Sequence, residues 1–190
     1  MEKTDQELVL NYISGDEGSL KILIERYIRP IYNFVYHLSR NVNDAEDITQ
    51  ETFVKVWKNL KKYNPKQSFK TWIFSIAKNT SIDWLRKKRN LVFSDFDTED
   101  GNNYIENTTR DENALQDELA IIAEDKKFLS EALKKLSLIY QSILVLRYSE
   151  ELTFKEIGDI LGKSLDTVKS QHRRALIQLK KTLENRNAPN

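Results

Sequence analysis

The chain has no cysteine, and its 190 residues include only two histidines, three prolines and five glycines. The absence of cysteine excludes disulfide bonds and thiolate chemistry, and it is compatible with any redox compartment. So few glycines and prolines favour a helical protein over a turn-rich β fold. The apolar runs are too short to span a bilayer and Met1–Lys3 begins no export segment, so we expect no membrane insertion and a cytoplasmic protein.

Sequence patterns that carry catalysis are also missing. The chain has no glycine-rich phosphate-binding loop and no nucleophile elbow. Its two histidines, His37 and His172, are far apart in the sequence. We therefore expect no enzymatic activity, no metal site and no cofactor.

The net charge of +1 conceals a strong separation of charges along the chain. Residues 44–51 hold four acids and no base, whereas residues 55–89 hold eleven bases and one acid. Residues 94–118 hold nine acids and one base, and the C-terminal end is basic again. This separation predicts two cationic surfaces joined by an anionic connector.

The C-terminal segment Thr153–Leu183 has the pattern of two helices joined by a short turn. Thr153 and Glu156 form a capping box, which predicts a helix start. Gly162 can take the left-handed conformation that ends this helix, and Ser164 then caps a second one. Two helices joined so tightly predict a helix-turn-helix.

The second helix of this pair has one apolar and one cationic face. Four residues share its inward face at helical spacing: Val168, His172, Ala175 and Leu179. A helix lying in a major groove needs short polar and cationic side chains for base edges and phosphates. The opposite face, which we call the reading face, carries Asp166, Thr167, Lys169, Ser170, Arg173 and Arg174. An ordinary amphipathic helix with a solvated basic face is the alternative. The caps, the short turn and the positive charge together favour a helix that recognises DNA.

Four helices are predicted in the N-terminal half. Capping residues mark their starts at Thr4, Asp16, Asp44 and Ser68. On the third helix, the residues expected to be buried are Thr49, Phe53, Val56, Trp57 and Leu60.

A second face of the third helix, which we call the acidic face, carries Asp47, Gln50, Glu51 and Val54 at helical spacing. The rest of the chain is suited to binding polyanions such as nucleic acid. This acidic face therefore predicts a different partner, namely a basic protein surface. Acids in a first helical turn also offset the helix dipole, which would explain Asp47 but not Glu51.

Cations surround the fourth predicted helix and the polar loop Tyr63–Gln67 before it. Such a surface can bind single-stranded nucleic acid, because cations neutralise the backbone while unstacked bases find a polar or aromatic pocket. The residues placed there are Lys66, Lys70, Lys78, Asn79, Arg86 and Lys87. Trp72 and Trp84 are expected to belong to the core, since tryptophan buries so much area.

Three segments resemble parts of bacterial sigma factors. Asp44–Trp57 resembles their core-polymerase-binding segment, and Phe69–Thr80 resembles the promoter-reading segment that follows it. Phe154–Leu179 is similar to their C-terminal helix-turn-helix. A short chain with just these two domains resembles the extracytoplasmic-function group of the sigma-seventy family.

The resemblance implies an all-α fold of two small helical domains joined by a flexible acidic linker. Residues 1–92 would bind core RNA polymerase and recognise and melt the minus-ten element. Residues 93–124 would be the linker. Residues 125–185 would contain the helix-turn-helix and recognise the minus-thirty-five element.

The resemblance also assigns a partner to each surface. The acidic face would dock on the clamp helices of the polymerase, and the C-terminal domain would rest on its flap. The loop Lys66–Phe69, together with Lys70, Lys78, Asn79, Arg86 and Lys87, would hold the melted minus-ten element and one extruded base; we call these residues the minus-ten surface. The reading face would bind the minus-thirty-five element as intact duplex. An anti-sigma factor is a further expected partner, since most relatives have one.

Two helices, Asp125–Leu136 and Leu138–Tyr148, are expected to support the helix-turn-helix. Their expected core residues are Phe128, Leu129, Leu133, Leu136, Ile139, Ile143, Leu144 and Leu146. His172 stands where the family has an aliphatic residue, which suggests a half-buried imidazole: either a tolerated substitution or a pH sensor.

The acidic connector at residues 91–118 leaves two interpretations open. Its composition is that of a plain flexible linker. The resemblance adds a second interpretation, in which its carboxylates occupy a cationic channel near the polymerase active centre.

The sequence thus predicts a sigma factor that directs promoter-specific transcription initiation in a stress or cell-envelope response. The alternative is a conventional helix-turn-helix regulator with an N-terminal sensing or dimerisation domain. That alternative leaves the acidic face and the minus-ten surface unexplained.

Overall fold

The computed structural model describes residues 3–89 and 128–184, and every regular element in these two ranges is a helix. The first range contains α1 (Asp5–Ile13), α2 (Glu17–Ser39), α3 (Val42–Asn59), a 3-10 turn (Leu60–Lys62) and α4 (Phe69–Arg89). The second contains helical residues 128–134, α5 (Leu138–Leu144), a π-helical turn (Val145–Ser149), α6 (Phe154–Leu161) and α7 (Leu165–Glu184). The all-α prediction is confirmed; the predicted linker, 93–124, lies outside the described residues.

Most of the predicted helix starts are confirmed by their capping hydrogen bonds. Thr4 and Thr153 each form a complete capping box, Thr4 with Glu7 and Thr153 with Glu156. The Asp16 carboxylate accepts from the backbone N–H of Gly18 and begins α2, which continues through Pro30. Short polar side chains therefore satisfy backbone donors that would otherwise lack partners at these helix ends.

The start of α3 was predicted wrongly. Asn41, not Asp44, is the cap, because its side-chain oxygen accepts from the Asp44 backbone N–H at 3.0 Å. Asp44 lies inside the first turn, and its buried carboxylate pairs with Lys88 of α4, with 2.6 Å between Nζ and Oδ1. The Asp44 carboxylate instead joins α3 to α4.

The N-terminal core is a four-helix packing in which aromatic rings meet edge to face. Phe34 of α2 contacts Phe74 of α4 with ring centroids 5.4 Å apart. Helix α1 is attached to α2 by Asp5, whose carboxylate accepts hydrogen bonds from Arg26 and Tyr27. Burial, together with the hydrogen bond donated to Asp5, raises the pKa of Tyr27 above its ordinary value, so its hydroxyl remains a donor.

The C-terminal core forms where α5, α6 and α7 meet. Ile143, Ile157 and Val168 are fully buried there, as their helical spacing predicted. Leu129 was predicted to be in the core, but it is 43% exposed. Within the predicted helix Leu138–Tyr148, the α-helix ends at Leu144 and the chain continues as a π-helical turn.

The two described ranges also pack against each other. Helix α6 lies on α4, and α5 contacts α2. The Arg40 guanidinium donates to the backbone carbonyl of Lys134 at 3.0 Å. No helix in residues 3–89 or 128–184 combines the length and apolar character needed to cross a bilayer. In the same residues, the metal-ligating side chains do not gather in groups of three or more.

Candidate functional site

The acidic face lies on α3 at the surface of the N-terminal helices. Asp47, Gln50 and Val54 are exposed, whereas Glu51 is half-buried. The Glu51 carboxylate lies 2.9 Å from the Nζ of Lys55, which also donates to the Thr80 hydroxyl at 3.2 Å. Asp47 is therefore the more accessible charge of the face, and Glu51 is already partly neutralised within the chain.

Trp57 extends this face, although the sequence placed it in the core. Its side chain is 55% exposed, one turn beyond Val54 and two turns beyond Gln50. It borders a groove of about 520 Å³ between α1, α2 and α3, whose other lining residues are Tyr12, Glu17, Leu20, Lys21, Ile24 and Glu25. Counting apolar periodicity misassigned this residue, because a tryptophan at the edge of an apolar stripe fits either a core or a binding surface.

The loop at the start of α4 has a defined conformation. The Asn64 side chain accepts from the Lys66 backbone N–H at 3.0 Å, and the Asn64 carbonyl accepts from the Gln67 N–H at the same distance. The Tyr63 hydroxyl donates to the Gln67 carbonyl. Ser68 caps α4 through the Thr71 N–H at 3.3 Å, as predicted. These bonds hold the loop and leave the Lys66 side chain exposed.

Aromatic packing supports this loop from below. Phe69 is 1% exposed and contacts Tyr27, Tyr63 and Trp72 with ring centroids 5.4 to 5.6 Å apart. Each such pair contributes roughly 0.5–1.5 kcal/mol beyond area burial. Phe69 therefore lies too deep to touch nucleic acid directly, so its predicted role as a contact residue does not fit this position. Trp72 packs partly buried against the core, as expected, and so does Trp84.

The polar members of the minus-ten surface differ in accessibility. Lys66, Asn79, Arg86 and Lys87 are exposed, and Lys78 is half-buried. Lys70 is engaged by the other part of the chain: its Nζ donates to the backbone carbonyl of Glu150 at 2.6 Å and lies 3.3 Å from the Glu150 carboxylate. The structure thus brings the predicted cations to one helix and its preceding loop. Lys70 is paired with the other part of the chain, and the Arg86 guanidinium lies 3.3 Å from the Asp83 carboxylate.

The reading face lies on the first half of α7 and is solvent-accessible along its length. Five of its six side chains are exposed, and Thr167 is half-buried. The Ser164 hydroxyl accepts from the Thr167 N–H at 3.2 Å and lies 2.8 Å from the Thr167 hydroxyl. The Ser170 hydroxyl donates to the Thr167 carbonyl at 2.9 Å. Cap and helix therefore fix the start of α7 before any ligand binds.

Two glycines build the turn between α6 and α7. Gly162 ends α6 at φ +69°, the left-handed region in which glycine is not strained. Gly158, which the sequence did not single out, is required by space, because a Cβ there would lie 2.7 Å from the Lys163 carbonyl oxygen. The tight turn between the two helices depends on that close approach.

His172 is a half-buried imidazole on the inner side of α7. Its Nε2 lies 3.1 Å from the Tyr148 hydroxyl, and its ring meets Phe154 edge to face with centroids 4.9 Å apart. Burial, and then the nearby Arg147 charge, lower its pKa, so the ring is neutral at pH 7. His172 therefore belongs to the support of the reading face rather than to the face itself.

Two family models match the chain in the regions just described. A model of sigma-70 region 2 matches residues 23–91, which include the acidic face and the minus-ten surface. A model of sigma-70 region 4 matches residues 132–181, which include the reading face.

Curated relatives match almost the whole chain. The chain is 30% identical to the extracytoplasmic-function sigma factor SigW of Bacillus subtilis over 186 residues, which cover 96% of this chain and 98% of SigW. It is 32% identical to the sigma factor YlaC of the same organism over 165 residues, which cover 87% of this chain and 92% of YlaC. The sigma-E factor of Haemophilus influenzae is 28% identical over 189 residues, which cover 98% of this chain and 96% of that factor.

Solved structures share the fold. The structure of CnrH in complex with the cytosolic domain of CnrY matches with a TM-score of 0.69 at 21% identity and covers 96% of this chain and 99% of CnrH. The sigma factor RpoE of Bartonella quintana, in complex with the anti-sigma factor NepR, matches with a TM-score of 0.65 at 21% identity and covers 86% of this chain and 96% of RpoE.

Proposed function

Because this chain belongs to the extracytoplasmic-function sigma factors of RNA polymerase, we propose which of its surfaces meets the polymerase and which meet the promoter. Its function is to direct transcription initiation, and its partners are core RNA polymerase and promoter DNA. The residue assignments that follow rest on exposure, charge and position in the fold.

The acidic face is assigned to the clamp helices of core polymerase. Exposed Asp47 and Gln50 provide charge and hydrogen bonding, while Val54 and Trp57 provide apolar area beside them. An exposed aromatic next to charges is the usual make-up of an interface centre with a polar rim. We therefore add Trp57 to the predicted set Asp47, Gln50, Glu51 and Val54.

The minus-ten surface is assigned to melted DNA, with one change to its membership. Lys66, Lys70, Lys78, Asn79, Arg86 and Lys87 would neutralise and orient the unpaired strand. Phe69 is reassigned to supporting the loop, since its ring lies in the aromatic cluster. An extruded base would bind against the polar loop between Tyr63 and Ser68, and extrusion costs a few kcal/mol that these contacts must offset.

The reading face is assigned to the minus-thirty-five element as duplex. Its residues Asp166, Thr167, Lys169, Ser170, Arg173 and Arg174 lie near the N-terminal end of α7, which is the end that contacts base edges in helix-turn-helix proteins. An Arg-to-guanine pair contributes about 1–3 kcal/mol of discrimination.

Further proposals concern the whole chain. We divide it into residues 1–92, 93–124 and 125–185, with the acidic middle segment as linker. The C-terminal part would rest on the polymerase flap. The solved structures of CnrH with CnrY and of RpoE with NepR suggest an anti-sigma factor for this chain too. Phosphodiester synthesis would belong to the polymerase alone, without a catalytic residue or cofactor here. We expect the chain to act in the cytoplasm, in a stress or cell-envelope response.

The observation that carries this proposal is one anionic helix face and two cationic surfaces on a single chain. Run-off transcription with purified core polymerase on genomic fragments tests it. We expect discrete start sites, with shared upstream motifs, only when chain and core are both present. A conventional helix-turn-helix regulator would bind DNA but would give no new start sites with core alone, and that result would contradict the proposal.

A further inference from the structure

Tyr148 is an exposed aromatic residue outside the acidic face, the minus-ten surface and the reading face. It lies in the π-helical turn Val145–Ser149, shortly before α6. Tyr148 is 61% exposed, a higher fraction than for any other large apolar or aromatic residue in residues 3–89 and 128–184. Tyrosine combines an apolar ring with a polar tip, and its hydroxyl is among the groups that donate to DNA phosphates. A ring this exposed is therefore a candidate binding residue.

His172 holds the phenol of Tyr148 at the edge of α7. The Tyr148 Oη lies 3.1 Å from the His172 Nε2, and the two ring centroids are 5.7 Å apart with 33° between the ring planes. On α7, Lys169 of the reading face lies three residues before His172, which is one helical turn away on the same side. The Tyr148 hydroxyl therefore lies beside the reading face.

The start of α6 packs against the same imidazole. The His172 ring meets the ring of Phe154, the first residue of α6, edge to face, with centroids 4.9 Å apart. In a helix-turn-helix, the first helix crosses the DNA backbone while the second lies in the major groove. A side chain between the start of the first helix and the reading face of the second therefore lies where a backbone phosphate passes.

The hydrogen bond between Tyr148 and His172 suits a phosphate as the next partner. The oxygens of a DNA phosphate only accept hydrogen bonds, so a phenol that binds one must donate its own O–H. The phenol oxygen then accepts from the Nε2–H of His172, which the neutral imidazole can carry on that nitrogen. Hydrogen bonds in such a chain polarise one another, so the imidazole both orients the phenol and makes it a better donor.

We propose, on the assignment of the reading face to the minus-thirty-five element, that Tyr148 is a further DNA contact whose hydroxyl donates to a backbone phosphate beside that element, with His172 as its positioning residue. A phosphate contact carries no base information. Tyr148 therefore adds affinity for duplex and fixes the register of α7, while base discrimination belongs to the reading face. An aliphatic residue at position 172 could not orient the phenol in this way.

Methylphosphonate substitution tests the contact, because it replaces one charged oxygen of a chosen phosphate with a methyl group. The probe is a promoter duplex mapped by run-off transcription and substituted at one phosphate at a time through its minus-thirty-five element. The measurement is its Kd for the holoenzyme. Tyr148→Phe should weaken binding of the unmodified duplex about three- to tenfold, as expected for one net hydrogen bond.

The decisive comparison is between the two losses at each phosphate. At the contacted phosphate, methylphosphonate should cost wild type about three- to tenfold more affinity than it costs Tyr148→Phe, because the variant has no hydrogen bond left to lose. A purely structural role for the phenol would lower affinity without depending on any single phosphate. Equal losses in wild type and Tyr148→Phe at every phosphate would therefore overturn the contact.

Tyr36 provides the matched control. It is also an exposed tyrosine, at 41%, but it lies on α2, with its ring stacked on that of Tyr32. Tyr36→Phe should change the Kd less than about twofold and should show the wild-type loss at every phosphate. A phosphate-dependent effect of the same size in Tyr36→Phe would show that the assay does not report a contact by Tyr148.

His172→Leu tests the positioning role, since leucine keeps an apolar contact with Phe154 but removes the ring nitrogen. The difference between wild type and Tyr148→Phe at the contacted phosphate should shrink when both carry His172→Leu. An unchanged difference would overturn the role of His172.

Failure of the reading-face assignment would be visible in a different variant. Arg173→Ala would then leave discrimination between promoter and non-promoter duplex unchanged. Loss of discrimination in Arg173→Ala, with no phosphate coupled to Tyr148, would overturn the Tyr148 contact alone.

Discussion

The N-terminal and C-terminal parts of this sigma factor differ in how many of their predicted DNA-binding residues are engaged within the chain. On α7, the reading face is accessible, and the cap at Ser164 already fixes the start of the helix. On α4 and its loop, Phe69 is buried under the loop and Lys70 is bound to Glu150. On the proposed assignments, the residues for duplex DNA are accessible as they stand, whereas one residue for the melted strand, Lys70, is held by the other part of the chain.

This difference matches what intact duplex and melted DNA each require of a binding surface. An intact duplex presents a regular groove that a rigid helix can enter. A melted strand exists only after base pairs have opened, so a surface that attracts it too early would bind unrelated single strands and other polyanions. Substitutions that damage one part alone, and smaller changes at the boundary between the parts, should therefore affect the two kinds of DNA differently.

The largest effect is expected for Gly158→Ala, which should damage only the C-terminal part. A Cβ at this position would lie 2.7 Å from the Lys163 carbonyl oxygen, so α6 and α7 must separate. We expect a loss of about 1–3 kcal/mol in unfolding free energy, typical of overpacking, and a large loss of duplex binding, measured by denaturant titration and fluorescence anisotropy.

Gly18→Ala in α2 is the matched control. A Cβ there would lie 3.1 Å from the Asp16 carboxylate, a side chain that needs to shift by only a few tenths of an ångström, so a smaller change is expected. Equal destabilisation by the two substitutions would show that close approach at Gly158 does not shape the turn.

Arg173→Ala should weaken recognition of the minus-thirty-five element without affecting the minus-ten strand. If Arg173 pairs with a guanine, the substitution removes about 1–3 kcal/mol of discrimination, roughly five- to 150-fold in relative affinity for promoter over non-promoter duplex. Competition anisotropy with both duplexes measures this ratio. The control is Lys181→Ala, in the last turn of α7, which should lower the affinities for promoter and non-promoter duplex equally. If Arg173→Ala also lowered both affinities equally, Arg173 would contact phosphate rather than a base.

Glu151→Gly should stabilise the segment where the two parts meet. Glu151 has φ +57°, and a residue with a side chain is strained there by about 1 kcal/mol relative to glycine. Urea unfolding should show that gain, with Glu151→Gln as the control that keeps the strain. If both variants had the same stability, the left-handed conformation would carry no measurable strain.

The smallest effect concerns pH, with one histidine in each part. Burial lowers the pKa of His37, with a further contribution from Arg40, and the pKa of His172 is lowered by burial and then by Arg147. Because the unfolded chain binds these protons more readily, stability is highest above pH 6.5 and falls as the pH drops through that value.

Each contribution should be a fraction of about 1 kcal/mol, since solvent screens half-buried groups. His37→Gln and His172→Gln should each reduce the fall in unfolding free energy between pH 7.5 and 5.5. A steeper fall in either variant would contradict the sign of its pKa shift.

Local rules predicted the helices and the exposure of most of the candidate binding residues. Capping boxes at Thr4 and Thr153 and the left-handed Gly162 were predictable because they depend only on neighbours in the sequence. Helical spacing likewise placed Asp47, Gln50 and Val54 together on an accessible face.

The ion pairs that the sequence did not reveal join residues far apart in the chain: Asp44 with Lys88, and Lys70 with Glu150. The need for glycine at position 158 is local, but it depends on the path of the turn that brings the Lys163 carbonyl close. Helical periodicity also cannot decide whether a tryptophan at the edge of an apolar stripe, such as Trp57, is covered by another helix. Contacts across the fold therefore had to be observed before the state of the minus-ten surface could be known.

We propose that the anionic face of the N-terminal part holds the polymerase while the cationic surfaces of both parts hold DNA. Affinity for purified core polymerase in the absence of DNA tests it most directly, with the double variant Asp47→Lys/Glu51→Lys compared with Glu131→Lys/Asp159→Lys, which changes the net charge equally at exposed positions elsewhere. We expect the first variant to bind core at least about tenfold more weakly and the second to bind like wild type. Equal binding by the first variant and wild type would contradict it.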